Sequence, residues 1–243
     1  MNTATNTRTG ISLDHCTRVY GEDHLAVTAL RDVSLHVAPG EFVAVMGPSG
    51  SGKSTVLNLM SGLDDPTTGT VAIGTRVMQS LSSRDRAQLR RTEIGIVFQR
   101  LNLVPQLTGI ENVMLPLELE GLSARAARPA AAAALAQVGA AHLDERFPDV
   151  LSGGEQQRVA IARALVGDRR VILADEPTAS LDSLDGEAIV RLLRGLADNG
   201  VTVVMVSHDP RWAAWADRIV TLHDGSITDE TRVENSEIIG VSR

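Results

Sequence analysis

Residues 47–55 read Gly47-Pro48-Ser49-Gly50-Ser51-Gly52-Lys53-Ser54-Thr55 and follow the apolar run Phe42-Val43-Ala44-Val45-Met46. Each residue type has a use against a triphosphate. Glycines let the backbone wrap so that its N–H groups converge on phosphate oxygens. A lysine at position 53 can reach the β- and γ-phosphates, and a hydroxyl at position 54 can ligate Mg²⁺. A second run, Val171-Ile172-Leu173-Ala174, delivers Asp175-Glu176 at its end. An aspartate there holds Mg²⁺, in this reading through water, and the neighbouring glutamate polarises an attacking water as general base. Successive strand residues point to opposite faces, so Glu176 can join Asp175 only if the chain turns. Pro177 is expected to force that turn. A third group, Leu151-Ser152-Gly153-Gly154-Glu155-Gln156-Gln157-Arg158, sets a hydroxyl and two glycines ahead of a predicted helix over 155–166. Its free N–H groups make a second anion cradle. Two triphosphate-binding ends in one chain make sense for two nucleotides, or for one nucleotide held between two chains.

The elements that must carry these groups are legible as alternating patterns. Val33, Leu35 and Val37 alternate with polar residues, as in a half-buried strand. Pro39-Gly40 is a turn, and 41–46 is the strand feeding the phosphate loop. A helix over 55–60 follows, with its positive end toward the phosphates and Gly62 as its stop. Segments 70–73 and 76–78 flank Gly74-Thr75 as a hairpin. Further strands are predicted at 94–98, 171–174 and 201–206, with a helix over 186–196. Strands alternating with helices imply an α/β fold with a largely parallel sheet, covered on both faces. Residues 102 to about 166 are rich in alanine and leucine and poor in strand signals, which predicts an inserted helical subdomain. Residues 1–9 are expected to be a disordered tail, 10–228 a single domain, and 229–243 a polar C-terminal tail.

Composition narrows the class. The chain has 243 residues, 43% hydrophobic but only 2% aromatic, so aliphatic side chains must fill the core. Its net charge of −7 argues against a protein built to grip nucleic acid. The arginine-rich stretch Arg84 to Arg91 reads as a solvated helix face. One cysteine, Cys16, permits no internal disulfide and suits a reducing compartment. There is no signal-peptide pattern and no apolar run of about 20 residues, which gives the expectation of a soluble cytoplasmic chain.

With these pieces in place, the sequence resembles the ATP-binding cassette (ABC) family over nearly its whole length. The octet Leu151 to Arg158 is similar to that family's signature motif. The resemblance implies further assignments: Gln99 as the glutamine that senses Mg²⁺ and the γ-phosphate, Ser180-Leu181-Asp182 as the D-loop, and His208 as the switch histidine. It places Tyr20 where an aromatic stacks on adenine, and it adds Ser152, Gly153, Gly154 and Gln156 to the nucleotide contacts. The implied fold is a phosphate-loop nucleotide-binding domain, with a RecA-like core, an N-terminal antiparallel β region and the inserted helices. The implied cofactors are ATP and Mg²⁺. The implied working form is a head-to-tail homodimer, each ATP lying between one phosphate loop and the other chain's signature.

Four stretches resemble the macrolide-exporter and lipoprotein-release (MacB/LolD) branch most: 20–22, 97–105, 111–113 and 174–182. The partner implied is a separate transmembrane permease of MacB/FtsX type, with the chain peripheral on the inner face of the membrane. Leu101 to Leu107 is then expected to form part of the surface that receives it. In this branch the permease can transmit motion rather than carry a substrate. A cell-envelope remodelling ATPase and a soluble nucleic-acid-associated ATPase are the other two classes considered. Relatives of the second kind carry a long coiled-coil insertion, cysteine clusters or a second cassette, and none is present.

Overall fold

The computed structural model describes residues 9–167 and 169–233. Two sheets form the framework. The first is antiparallel, with β1 (Ile11–Tyr20) between β2 (Val27–Val37) and β4 (Thr68–Ile73), and the short β5 (Arg76–Val77) at its edge. The predicted hairpin about Gly74-Thr75 is the β4–β5 pair. The second sheet has six strands in the order β10-β9-β3-β8-β7-β6. Here β3 is Phe42–Met46, β6 Ile94–Val97, β7 Val171–Asp175, β8 Thr202–Val206, β9 Arg218–His223 and β10 Ser226–Arg232. All its pairings are parallel except the β9–β10 hairpin.

The parallel strands are covered on both faces, and the side-chain period of two assigns each face its own core. Phe42 and Ala44 of β3 join Ile172 and Ala174 of β7 and Val203 and Met205 of β8 in one cluster. The intervening Val43, Val45, Val171, Leu173, Val204 and Val206 belong to the other. The first cluster is closed by α3 (Gly109–Leu119), α4 (Ala124–Gln137), α5 (Gly153–Leu165) and α6 (Ser183–Asp198). The second is closed by α1 (Lys53–Ser61), by Leu89 of α2 (Ser83–Glu93), and by the antiparallel sheet. A short α7 (Pro210–Ala213) precedes β9.

Helix boundaries follow local chemistry. Gly62 takes the left-handed conformation at φ 64° and ends α1, as expected. Capping boxes start α3 (Thr108 with Glu111) and α5 (Ser152 with Glu155), and the Asp182 carboxylate accepts from Leu184 and Asp185 at the start of α6. Buried Asn112 organises the loop before α3. Its Nδ2 donates to the carbonyls of Val104, Leu107 and Thr108, and its Oδ1 accepts from the Val104 N–H. The arginines of α2 are exposed or turned to the neighbouring backbone and carboxylates: Arg90 donates to the Gly62 carbonyl and Arg86 to Asp65.

One boundary is corrected. Residues 229–232 belong to β10 and pair with β9, so the polar tail cannot begin at 229. The strand is almost wholly polar because it is the outer edge of the sheet, with Thr228 to Arg232 exposed on both faces. The expected tail beyond 233, and residues 1–8 at the other end, lie outside the described residues. Among the described residues no helix is long and apolar enough to cross a membrane.

Candidate functional site

The phosphate loop occupies the turn between β3 and α1, held by geometry that other residues do not tolerate. Gly47 sits at φ 150°, and a Cβ there would lie 2.1 Å from the Leu222 carbonyl oxygen. Gly52, at φ 104°, would drive a Cβ to 2.5 Å from the Ala29 carbonyl. The Ser51 N–H closes the loop on Pro48 at 3.2 Å. The Ser51 hydroxyl is buried at 2% exposure and has no hydrogen-bond partner among the described residues. Ser49 and Gly50 form the exposed crest. Helix α1 starts on Gly52 with no side-chain cap and no acidic residue in its first turn. Its positive end, carrying the amides of Lys53, Ser54 and Thr55, is therefore not neutralised by the helix's own residues, which suits an anion. Lys53 Nζ curls over the crest and donates to the carbonyls of Gly47 at 2.8 Å and Pro48 at 2.9 Å.

Parallel pairing brings the carboxylates to the same edge. Strand β7 lies one strand away from β3, across β8, and ends at Asp175. The Ser54 hydroxyl lies close enough to the Asp175 carboxyl to favour its charged form. Burial pushes its pKa above the usual carboxylate range. Glu176 adds to that effect, while Ser54 and Lys53 oppose it. A hydroxyl and a carboxylate, both hard oxygen donors, meet beside a lysine, which is a donor set that fits Mg²⁺ completed by phosphate oxygens and water.

Glu176 is where the chain turns. Its φ is 47°, a left-handed value rare for a residue with a side chain. Its N–H still pairs with the Val206 carbonyl at 3.0 Å. The turn anticipated from Pro177 is thus made one residue earlier, by Glu176 itself. Its carboxylate oxygens both lie 2.9 Å from His208 Nδ1. His208 is largely exposed, just past β8, while Glu176 is mostly buried. Gln99 is exposed, two residues beyond the end of β6 at Val97.

The structure therefore brings Lys53, Ser54, Asp175, Glu176 and His208 together. Ser152, Gly153 and Gly154 stand apart from them among the described contacts. They open α5 and pack toward the D-loop and α6. A Cβ on Gly154 would meet the Asp185 carboxylate at 2.6 Å, and one on Gly153 would meet Leu181 at 3.3 Å. The capping box engages the Ser152 hydroxyl as acceptor for Glu155 N–H and the Ser152 N–H as donor to Glu155. The Ser152 O–H and the Gly153 and Gly154 N–H groups have no acceptor among the described contacts, as first-turn donors of a helix.

Gln156 is differently employed from the expectation. Its Nε2 donates to the carbonyls of Pro148 and Leu151 at 3.0 and 3.2 Å, bracing the turn before the signature rather than pointing off the helix end. Tyr20 closes β1 with its hydroxyl donating to Asp64 at 2.7 Å. Asp64 and its partner Arg18 carry no sequence signal, because 46 residues separate them.

Since the ionised Asp175 is penalised by burial, Asp175→Asn is expected to raise the Tm of the nucleotide-free protein in chelator at neutral pH. The sign follows from the raised pKa. The folded state binds this proton more tightly, so the wild-type deficit grows as pH rises through the folded pKa and vanishes in acid. Differential scanning calorimetry of both proteins across pH checks this.

A parallel sheet with a phosphate loop after one strand and a carboxylate at the end of a near neighbour defines a phosphate-loop nucleoside triphosphatase. The family model described as ABC transporter matches residues 30–179. An uncharacterized ABC transporter ATP-binding protein of Mycobacterium tuberculosis is 45% identical over 226 residues, covering 93% of this chain and 91% of the relative. MJ0796 of Methanocaldococcus jannaschii, likewise described as an uncharacterized ABC transporter ATP-binding protein, is 45% identical over 228 residues, covering 92% and 97%. The macrolide export ATP-binding/permease protein MacB of Chromobacterium violaceum is 44% identical over 220 residues, but this chain spans only 34% of it. Among solved structures, dimeric MJ0796 in a post-hydrolysis state bound to ADP and Pi superposes with a TM-score of 0.84 at 42% identity, covering 92% of this chain and 98% of that one. The chain belongs to the ABC transporter family and is an ATPase domain of it.

Proposed function

We propose that two copies of this chain close on two Mg-ATP molecules, hydrolyse them and reopen, driving a separate membrane-embedded permease of the MacB/FtsX type. The observation that carries the reading is the pair of anion-receiving helix starts. One belongs to α1 beside the carboxylates. The other belongs to α5, lies among neighbours of its own chain, and has donors left over after its capping box. The solved relative MJ0796 is a dimer, and a head-to-tail dimer gives the second helix start its use on the partner's γ-phosphate.

In this reading the phosphate-loop amides and Lys53 hold the β- and γ-phosphates. Ser54 and Asp175 hold Mg²⁺, with Gln99 approaching from the edge of the sheet; the ion neutralises phosphate charge when bound. Glu176, fixed by its backbone bond to Val206, takes a proton from the attacking water. His208, adjacent to that carboxylate, orients it and faces the γ-phosphate. Ser152, Gly153 and Gly154 of the other chain complete the cage. Tyr20 stacks on the adenine. Gln156 supports the signature turn.

Residues 101–107, part half-buried and part exposed, and held at Val104 and Leu107 by Asn112, adjoin the helical segment and form part of the permease-facing surface. The chain acts at the inner face of the membrane through that partner. The test is recovery of the tagged chain from detergent-solubilised membranes. A multi-span membrane protein in stoichiometric amount, whose presence raises ATP turnover, is expected. Recovery of ribosomes or nucleic acid instead contradicts the reading.

A further inference from the structure

Tyr20 is not a free aromatic at the end of a strand. The Arg18 guanidinium lies 4.5 Å from the centroid of its ring and covers one face. The Tyr20 hydroxyl donates to Asp64 Oδ2 at 2.7 Å. The same carboxylate grips Arg18 in a two-pronged pair, with Nε to Oδ2 at 2.9 Å and Nη2 to Oδ1 at 2.7 Å. Arg18 and Asp64 are both mostly shielded, at 24% and 21% side-chain exposure. Tyr20 remains 37% exposed. Its cross-strand partner Val27 projects from the same face of the sheet and is 63% exposed. One ring face is thus backed by a cation, the edge is tethered, and the other face lies open beside an apolar neighbour.

The anchor of this arrangement matters. Asp64 follows the end of α1, where its backbone N–H donates to the Asn58 carbonyl at 3.2 Å. The helix that starts at the phosphate loop therefore carries, at its far end, the group that sets the tyrosine ring. A rigid helix of this kind fixes the distance between a phosphate site and a base site.

We propose that Arg18 and Asp64 are positioning residues for the base of ATP: they hold the Tyr20 ring in its stacking orientation and register it to the phosphate loop. The inference rests on the reading of Tyr20 as the adenine platform. Its physical content is preorganisation. An untethered tyrosine must surrender rotamer freedom when a base stacks on it, whereas a clamped ring has already done so. Base–aromatic stacking is strong enough for its loss to be read directly as a change in affinity.

Asp64→Asn is the informative variant. It keeps an oxygen for the Asp65 N–H, which Asp64 Oδ1 now accepts at 2.8 Å. It loses the carboxylate that both Arg18 and the tyrosine hydroxyl use. The experiment is calorimetric binding of ATP and, separately, of inorganic tripolyphosphate, in wild type, Tyr20→Ala, Tyr20→Phe and Asp64→Asn. Asp64→Asn is expected to weaken ATP binding about tenfold, with Tyr20→Phe weaker in effect and Tyr20→Ala stronger, while tripolyphosphate binding stays at the wild-type value in all. If Tyr20→Ala binds ATP normally, the adenine platform itself is wrong. If Tyr20→Ala weakens ATP but Asp64→Asn does not, the platform stands and the clamp is overturned. If Asp64→Asn weakens both ligands equally, its effect reaches the phosphate loop through α1, and the clamp is again overturned.

Discussion

Lys53→Ala is expected to bind ATP at least about a hundredfold more weakly than the wild type, while folding normally. The size follows from what the ammonium does. It is the only cation within the loop 47–55, and the contacts to phosphate oxygens proposed for it would be charge-assisted. No neighbour can replace it, because the other groups of the proposed site are backbone amides and the oxygens of Ser54 and Asp175. The fold tolerates the change. Lys53 Nζ donates only to the Gly47 and Pro48 carbonyls among the described contacts, and both are near the surface where water can substitute. Isothermal calorimetry with ATP, alongside a thermal melt, separates the two quantities. Undiminished affinity would remove Lys53 from the phosphate site.

Glu176→Gln is expected to cut turnover by about 10²–10⁴-fold, the usual contribution of a general base, and to leave ATP binding intact. Glutamine preserves the shape that holds position 176. The φ of 47° and the N–H bond to Val206 are backbone properties, and an amide oxygen still accepts from His208. The ability to take up a proton at neutral pH is what disappears. A variant that binds and cannot turn over should accumulate the closed, ATP-bound state. Steady-state phosphate release and equilibrium binding, measured on one preparation, check both halves. Turnover near the wild-type rate would move the base elsewhere.

The chemistry was more legible in the sequence than the sheet that carries it. Loops whose residues are dictated by phosphate geometry announce themselves locally, as at Gly47 to Thr55. So do the fully apolar strands around them, since β3, β7 and β8 are buried on both faces. Strand β1 left no such trace. Its pairing with β2 shifts register between Leu13 and Cys16, between Cys16 and Arg18, and between Arg18 and Val19, and His15 sits at φ 50°. Each irregularity resets the period of two on which strand recognition depends. Strand β10 was missed for the opposite reason, since an edge strand reading Ser-Ile-Thr-Asp-Glu-Thr-Arg has little apolar face to recognise.

The site shows the same division. Asp175 and Glu176 stand out in the sequence because they close an apolar run, Asp175 as the last residue of β7 and Glu176 just past it. The tether from Asp64 to Tyr20 could not, because 44 residues separate the partners. Gln156 looked like a ligand from its place in the signature, yet its amide faces the carbonyls of Pro148 and Leu151. Helix phase decided that contact, and motif membership did not.

The central claim is that each nucleotide lies between the phosphate loop of one chain and the Ser152-Gly153-Gly154 corner of another. The chain's single cysteine, Cys16, is buried, so introduced thiols can be read without background. Ser49 and Gly153 are both exposed, one on the loop crest and one at the start of α5. The most direct measurement is disulfide trapping of Ser49→Cys/Gly153→Cys in the Glu176→Gln background, followed by non-reducing electrophoresis. The account predicts a covalent dimer that forms with Mg-ATP and fails to form without nucleotide or with Lys53→Ala added. A protein that is saturated with Mg-ATP and stays monomeric under the same oxidation would contradict it.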